Sequence, residues 1–307
     1  MNIGSQKKTS ILALASAALL SDPANAALLI HEPFDYASTS PVNDGTFLGD
    51  GGQAGGLGLG TWSQTNSGSN EIDVAASGLT FSDGAGNILP TSGNAFERAQ
   101  RVGQAAVNSP ITASGFATDG TSTWMTFLFQ DRGFSGPDFA IALTSQTMAF
   151  GDPQALSAAG FGVGLGINST GGPNRNVGTA VYNNATAQSF TPEATPTFDG
   201  PSASGIHLLA VKVNWNAGTD DEIFVFDLSS DFSVEPAEGS ALASSTFNWS
   251  QAEQDLLNNL AINESQVNFL DEVRVATTYL EAVGIPEPSS ALLGVLGGLL
   301  VLRRRRK

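Results

Sequence analysis

Glycine limits most strongly what this chain can fold into. There are 35 glycines among its 307 residues. With clusters of Asn, Asp and Ser they cut the apolar sequence into pieces that suit strands and are too short for ordinary helices. The pieces that read as strands are 27–30, 79–81, 122–129, 139–143, 160–167, 179–182, 206–215, 222–227 and 268–277. In the third of these, Trp124, Thr126 and Leu128 fall on one face and Thr123, Met125, Phe127 and Phe129 on the other. Both faces are mainly apolar, as expected of a strand covered on both sides. His207 to Val213 reads the same way, and Ile223 to Phe226 follows it across the loop-forming stretch 214–221, which predicts a hairpin.

One segment reads as a helix. Ser250 with Glu253 forms a capping box, and Ala252, Leu256, Leu257 and Leu260 follow at helical spacing, predicting a short helix over 251–261. The glycine-rich stretch 49–60 lacks the following helix and Lys-Ser/Thr of a phosphate loop, so it reads as an ordinary loop. No solenoid repeat is evident. The pattern as a whole predicts an all-β fold, a two-sheet antiparallel sandwich of about 258 residues over 27–284, with enough chain to bury a core.

The two ends carry a different signal. Lys7 and Lys8 precede a Leu- and Ala-rich run at 11–20, and Ala24-Asn25-Ala26 supplies an A-x-A cleavage site. Residues 1–26 therefore read as a secretory signal peptide cut after Ala26. At the other end stand Pro286-Glu287-Pro288, the apolar stretch 291–302, and then Arg303, Arg304, Arg305, Arg306 and Lys307. Twelve residues reach only ~18 Å at ~1.5 Å per residue, against ~30 Å of hydrocarbon. This is a short anchor, held at the cytoplasmic face by its cations. The triplet, the short hydrophobic helix and the basic tip together resemble the PEP-CTERM sorting signal of Gram-negative, exopolysaccharide-producing bacteria. The resemblance covers residues 285–307. It implies Sec-dependent export, transient anchoring in the inner membrane, processing by an exosortase-like protease, and delivery to the cell surface or polysaccharide matrix.

Charge and composition narrow the mature part. Residues 27–284 hold six cations and 27 acidic residues, a net charge of −21. Such a surface repels nucleic acid and anionic lipid. There is no cysteine, so thiol chemistry and Cys-based metal sites are excluded, and a domain of this size builds a core without disulfides. Only His31 and His207 are present, a poor supply for a transition-metal site or a His-assisted serine triad.

Glu32-Pro33-Phe34-Asp35-Tyr36 near the start, Phe269 to Thr277 near the end, and the hairpin of Val211-Lys212-Val213 with Ile223 to Phe226 resemble the concanavalin A-like or laminin-G-like jelly rolls often joined to such tails. That resemblance implies that the first and last strands pair. It also raises the question of catalysis, because jelly rolls include glycoside hydrolases whose strand order is Glu-x-Asp-x-x-Glu or the same with one residue fewer. Here Glu71-Ile72-Asp73-Val74 is followed by Ala75, Ala76 and Ser77, so the acid/base is missing. Glu222 and Asp227 lie five apart and point to opposite faces of a strand.

The remaining candidates are for binding. Trp62, Trp215 and Trp249 lie near expected loops and are candidates for stacking on sugar rings, with the Asn-rich run 174–184 as a further rim. Asp220 and Asp221 are weak candidates for Ca²⁺, with Asn214 or Asn216 beside them, against the plainer reading of a solvated charge cluster. Asp271 and Glu272 read as structural, accepting hydrogen bonds or pairing Arg274. No other cofactor is expected. The sequence thus predicts an exported, non-catalytic surface or matrix protein with a structural or adhesive role and contact to extracellular polysaccharide. The alternative is a polysaccharide hydrolase or lyase on the same fold.

Overall fold

The computed structural model describes residues 27–36, 53–66, 72–75, 77–97, 105–131, 139–148, 160–169, 175–183, 189–193, 205–264 and 268–285. The strands are β1 (Leu28–Glu32), β2 (Ser63–Asn66), β3 (Asp73–Val74), β4 (Phe96–Glu97), β5 (Ala105–Pro110), β6 (Ser122–Asp131), β7 (Phe139–Thr144), β8 (Gly162–Ser169), β9 (Arg175–Tyr182), β10 (Ser189–Pro192), β11 (Ile206–Asn214), β12 (Asp221–Asp227), β13 (Ala243–Phe247), β14 (Asn259–Glu264) and β15 (Asn268–Ala276). Two one-turn α-helices, α1 (Gln251–Gln254) and α2 (Tyr279–Ala282), and a 3-10 turn at Glu238–Ser240 complete the set among the described residues.

These strands form two antiparallel sheets. One runs β13-β12-β11-β6-β15-β4-β3, with β1 beside β15, and the other β10-β9-β8-β7-β14-β5-β2. The fold is the two-sheet antiparallel sandwich read from the sequence. The main core lies between the sheets, where Met125, Phe127 and Phe129 of one face Ile141, Leu143, Val163, Leu165, Leu260 and Ile262 of the other. The opposite face of β6 is also covered. Trp124 and Leu128 pack with Leu79, Phe81, Phe226, Phe232 and Tyr279 in a second cluster outside the sheet. That double coverage is why β6 is apolar on both faces.

Two expectations for local structure need correction. Residues 79–81 do not form a strand; they belong to the segment that caps the outer face of the first sheet, where Leu79 and Phe81 are buried. The expected helix over 251–261 stops after one turn. The capping interaction is present, with the Glu253 carboxylate accepting from Ser250 N (2.7 Å) and Oγ (2.8 Å). From Asn259 the chain becomes β14, wedged between β7 and β5. Leu260 and Ile262 alternate into the core there. Two full ladders of backbone hydrogen bonds outweigh a helical spacing that propensity alone would favour.

The first and last strands pair antiparallel, from Leu28 opposite Ala276 to Glu32 opposite Val273. Ala27 is drawn into this edge: its amide donates to Thr277 Oγ1 (3.1 Å), and its carbonyl accepts from Thr277 N (3.1 Å). After β15, α2 ends in a Schellman motif. Ile285 N donates to Leu280 O (2.8 Å) and Gly284 N to Glu281 O (3.1 Å), with Gly284 at φ +68°. A side chain at Gly284 would run into the Arg274 guanidinium. Among the described residues no helix is long and apolar enough to cross a membrane. The expected helix at 291–302, the signal peptide with Ala24 and Ala26, and the sorting residues 286–307 all lie outside the described residues.

Candidate functional site

The first candidates to place are the carboxylates. Glu32 is fully buried at the end of β1 and accepts four hydrogen bonds: from Phe34 N (2.7 Å), Tyr36 Oη (2.6 Å), Gly56 N (2.9 Å) and Trp62 Nε1 (2.9 Å). It ties the glycine-rich stretch and Trp62 to the first strand. Gly58, at φ +74°, sits so close to Leu29 O that no side chain fits, so that loop is glycine-rich because it lies flat on β1. Burial, reinforced by the charge of Glu32, raises the pKa of the Tyr36 hydroxyl well above its ordinary value.

Asp271 and Glu272 form a bulge in β15, where three steps along β15 oppose two along β6 and Glu272 takes φ +52°. Asp271 accepts from Leu79 N (2.7 Å) and Glu272 N (2.8 Å). Glu272 meets His31 Nε2 (2.7 Å) and Arg274 Nη2 (2.8 Å), and also accepts from Ser92 N. Burial pushes Asp271 up to about 8 despite its amide donors. Glu272 is pulled the other way: burial opposes its ionisation, but His31, Arg274 and Ser92 together hold it below the usual carboxylate range. Both residues are structural, as the sequence reading held. Asp227 likewise pairs with His207 Nδ1 (3.0 Å) and Ser229 N (2.9 Å). Asp73 is buried at the sheet edge, while Glu71 lies outside the described residues.

The three tryptophans offered as sugar platforms are all buried: Trp62, Trp215 and Trp249 are 1 %, 0 % and 3 % exposed. None presents a ring face to solvent, because each is large enough to close a core that the surrounding small residues leave open. Tyr182, in the expected Asn-rich rim, is also buried, in β9. The solvated reading of the Asp220–Asp221 pair fails for Asp221. It is fully buried, its oxygens accepting from Asn216 N (2.8 Å) and Trp249 N (3.1 Å), and burial raises its pKa. Asp220 stays exposed and accepts from Asn248 Nδ2 (3.2 Å). Both oxygens of Asp221 thus serve the hairpin rather than a cation. Among the described residues no group of three or more His, Asp or Glu side chains is arranged to hold a metal ion.

An open site does exist, directly above two of these tryptophans. A cavity of about 300 Å³ lies at the end of the sandwich between the loop after β5 and the segment from α1 to β14. Ile111, Ala113, Phe116, Ala117 and Leu257 give it apolar walls; Ser114, Gln254, Asp255 and Asn258 supply polar groups.

The two walls are pinned together. Ile111 N donates to Asn258 O (2.7 Å), Gln251 Nε2 to Ala117 O (2.9 Å), and Gln254 Nε2 to Asp119 Oδ1 (3.0 Å) and Trp249 O (3.2 Å). From beneath, Trp215 Nε1 holds Phe116 O (3.1 Å), and Trp215 stacks on Trp249 with ring centroids 6.3 Å apart. The tryptophans are the posts under this site. Gln254 is 1 % exposed, and its Oε1 has no hydrogen-bond partner. Asp255 is exposed and accepts from Gln251 Nε2 (2.8 Å).

Sequence reasoning missed this site. Its residues carry no motif, and Gln254, Asp255, Leu257 and Asn258 lie in a segment that reads as continuous helix.

No protein-family model matches the chain, and no curated protein matches it. Among solved structures it is similar to a Shewanella oneidensis protein of unknown function (12 % identity, TM-score 0.40), covering 90 % of this chain and 98 % of that one. It is also similar to an alginate lyase from Chlorella virus (13 %, TM-score 0.38), covering 71 % and 93 %. A third is a Bauhinia forficata lectin in complex with GalNAc (14 %, TM-score 0.33), covering 81 % and 98 %.

Proposed function

We propose that this chain is an exported, non-catalytic protein of the cell surface or polysaccharide matrix, which contacts glycan through the cavity at the Ile111 and Asn258 end. The observation that carries the reading is the cavity itself. A sugar ring offers an apolar C–H face and a rim of hydroxyls. The cavity offers apolar walls beside a hydroxyl, two amides and a carboxylate, on a frame fixed by cross-wall hydrogen bonds. Its volume sits at the lower end of the ~300–1,000 Å³ range of small-molecule sites, suited to one sugar unit rather than a buried polymer.

The non-catalytic part rests on how the carboxylates are used. Polysaccharide hydrolysis needs two carboxyl groups facing one bond, ~5–5.5 Å apart for retention and ~6.5–9.5 Å for inversion. Glu32, Asp221, Asp227, Asp271 and Glu272 each hold backbone amides or partner side chains in place, and among the described residues Asp255 is the sole carboxylate lining the cavity.

Export and tail-directed sorting rest on the signal-peptide pattern and on the Pro286-Glu287-Pro288, apolar and Arg303–Lys307 series. They fit a fold whose last described helix is capped at Gly284, two residues before the triplet. An exosortase-like protease is the partner this address calls for.

The test is a pull-down of the full-length chain with insoluble polysaccharides, with reducing ends and unsaturated products measured in the supernatant. The account expects retention without release of either. Sustained product release that follows the protein through purification would make it an enzyme instead.

A further inference from the structure

The cavity and the charge of the chain together restrict the glycan. Asp255 lines the cavity, Asp119 is hydrogen-bonded to its wall through Gln254, and Glu253 adjoins them on α1. Asp119 and Asp220 also raise the pKa of Asp221 through their charges, so the negative field extends across this end of the sandwich.

No cation among the described residues lines the cavity. Among the described residues the cations are Arg175, Lys212 and Arg274. Lys212 is held by Glu238 (2.8 Å) and Glu235 (3.5 Å), and lies over the Trp124 ring on the outer face of the first sheet. Arg274 is buried against Glu272 and Pro90 O. Arg175 begins β9 opposite Ser169. The other end of that strand, Tyr182, aligns through Gly162 and Thr144 with Asn259 beside the cavity, so the register puts Arg175 at the far end of the sheet.

A carboxylate or sulfate sugar bound here would face acidic groups with no counter-charge, a penalty that a partly desolvated cavity enlarges. The hydrogen-bonding set suits an uncharged unit. Ser114 and the Asn258 amide both donate and accept, Asp255 accepts from sugar hydroxyls, and the half-buried Ile111 and Ala113 receive the apolar face.

We infer that the cavity takes an uncharged sugar unit and discriminates against uronic-acid and sulfated glycans, an inference that rests on the glycan-contact reading above. The protein would then attach to neutral segments of an extracellular polysaccharide and be repelled by its acidic ones.

Calorimetric titration of the full-length chain tests this with neutral hexose oligosaccharides and with uronate oligosaccharides, at low and at physiological salt. Two variants at exposed positions accompany it: Ser114→Trp, which blocks the mouth, and Asp255→Lys, which reverses the local charge. The expected result is binding of neutral oligosaccharides, at least tenfold weaker binding of uronates, and loss of neutral binding in Ser114→Trp. Asp255→Lys should narrow the gap by tenfold or more. Uronate binding as tight as neutral binding, and lost in Ser114→Trp, would overturn the charge selectivity and leave the glycan site standing. Absence of binding to either class, or binding indifferent to Ser114→Trp, would remove the site as well.

Discussion

At the scale of single residues, the acids of this chain divide into those that face solvent and those that replace backbone partners inside it. Glu32 answers four donors, of which the buried Phe34 amide would otherwise lack an acceptor, an orphan that costs about 1–3 kcal/mol. Asp271 offers a sharper test because its protonation is displaced. Its folded pKa, pushed up to about 8 by burial, stands above the unfolded value of about 3.9. Between those two values the folded state holds the proton that the unfolded state releases, so stability from this group is complete below about pH 4 and is lost as pH rises towards 8. Glu272 works with the opposite sign, its contribution being lost on acidification. We expect Asp271→Asn to flatten the fall in thermal midpoint between pH 5 and 8.5, relative to the parent, in a scan by circular dichroism. An unchanged slope would show that Asp271 is ionised throughout that range.

At the scale of elements, the informative case is the segment from α1 to β14. The Ser250–Glu253 cap was legible and is formed, yet of the four positions at helical spacing Ala252 falls in the one helical turn, Leu256 and Leu257 in the connection after it, and Leu260 in a central strand. Leu257, Leu260 and Ile262 are buried under either reading, so apolar spacing alone could not separate them. Pairing to β5 and β7, from segments about 150 and about 120 residues away, decided the matter. Ala261→Pro tests the pairing of β14 on both sides. In the middle of a strand paired on both sides, proline removes a ladder hydrogen bond and should destabilise by about 3 kcal/mol or more. Ala252→Pro, in the first turn of α1, should change stability by less than about 1 kcal/mol. Chemical denaturation of both variants checks this, and equal effects would contradict the assignment. The long strands β6, β11, β12 and β15 were legible because their apolar content is continuous or alternating. The two-residue strands β3 and β4 exist only through their neighbours, and no local signal marks them.

The cavity follows the same logic. Tryptophan was the visible cue, but Trp215 and Trp249 turned out to support the site rather than to form its surface. The groups that line it come from two segments more than 130 residues apart, joined by Gln251 and Gln254.

At the scale of the molecule, the sandwich closes on itself. Ala27 is hydrogen-bonded to Thr277 beside the last strand, and a helix sealed by Gly284 follows within eight residues. Both ends of the described unit therefore lie beside the same strand, β15. The composition of residues 1–26 and 286–307, apolar and basic, contrasts with the acidic, glycine-rich body between them. The central claim is that these ends are addresses and that the body is what remains at its destination. The most direct measurement is the intact mass of the protein recovered from the surface or medium of the producing cells. The account predicts a species beginning at Ala27 and lacking Arg303 to Lys307. A mature protein that retains the basic tip, or still carries Lys7 and Lys8, would contradict it.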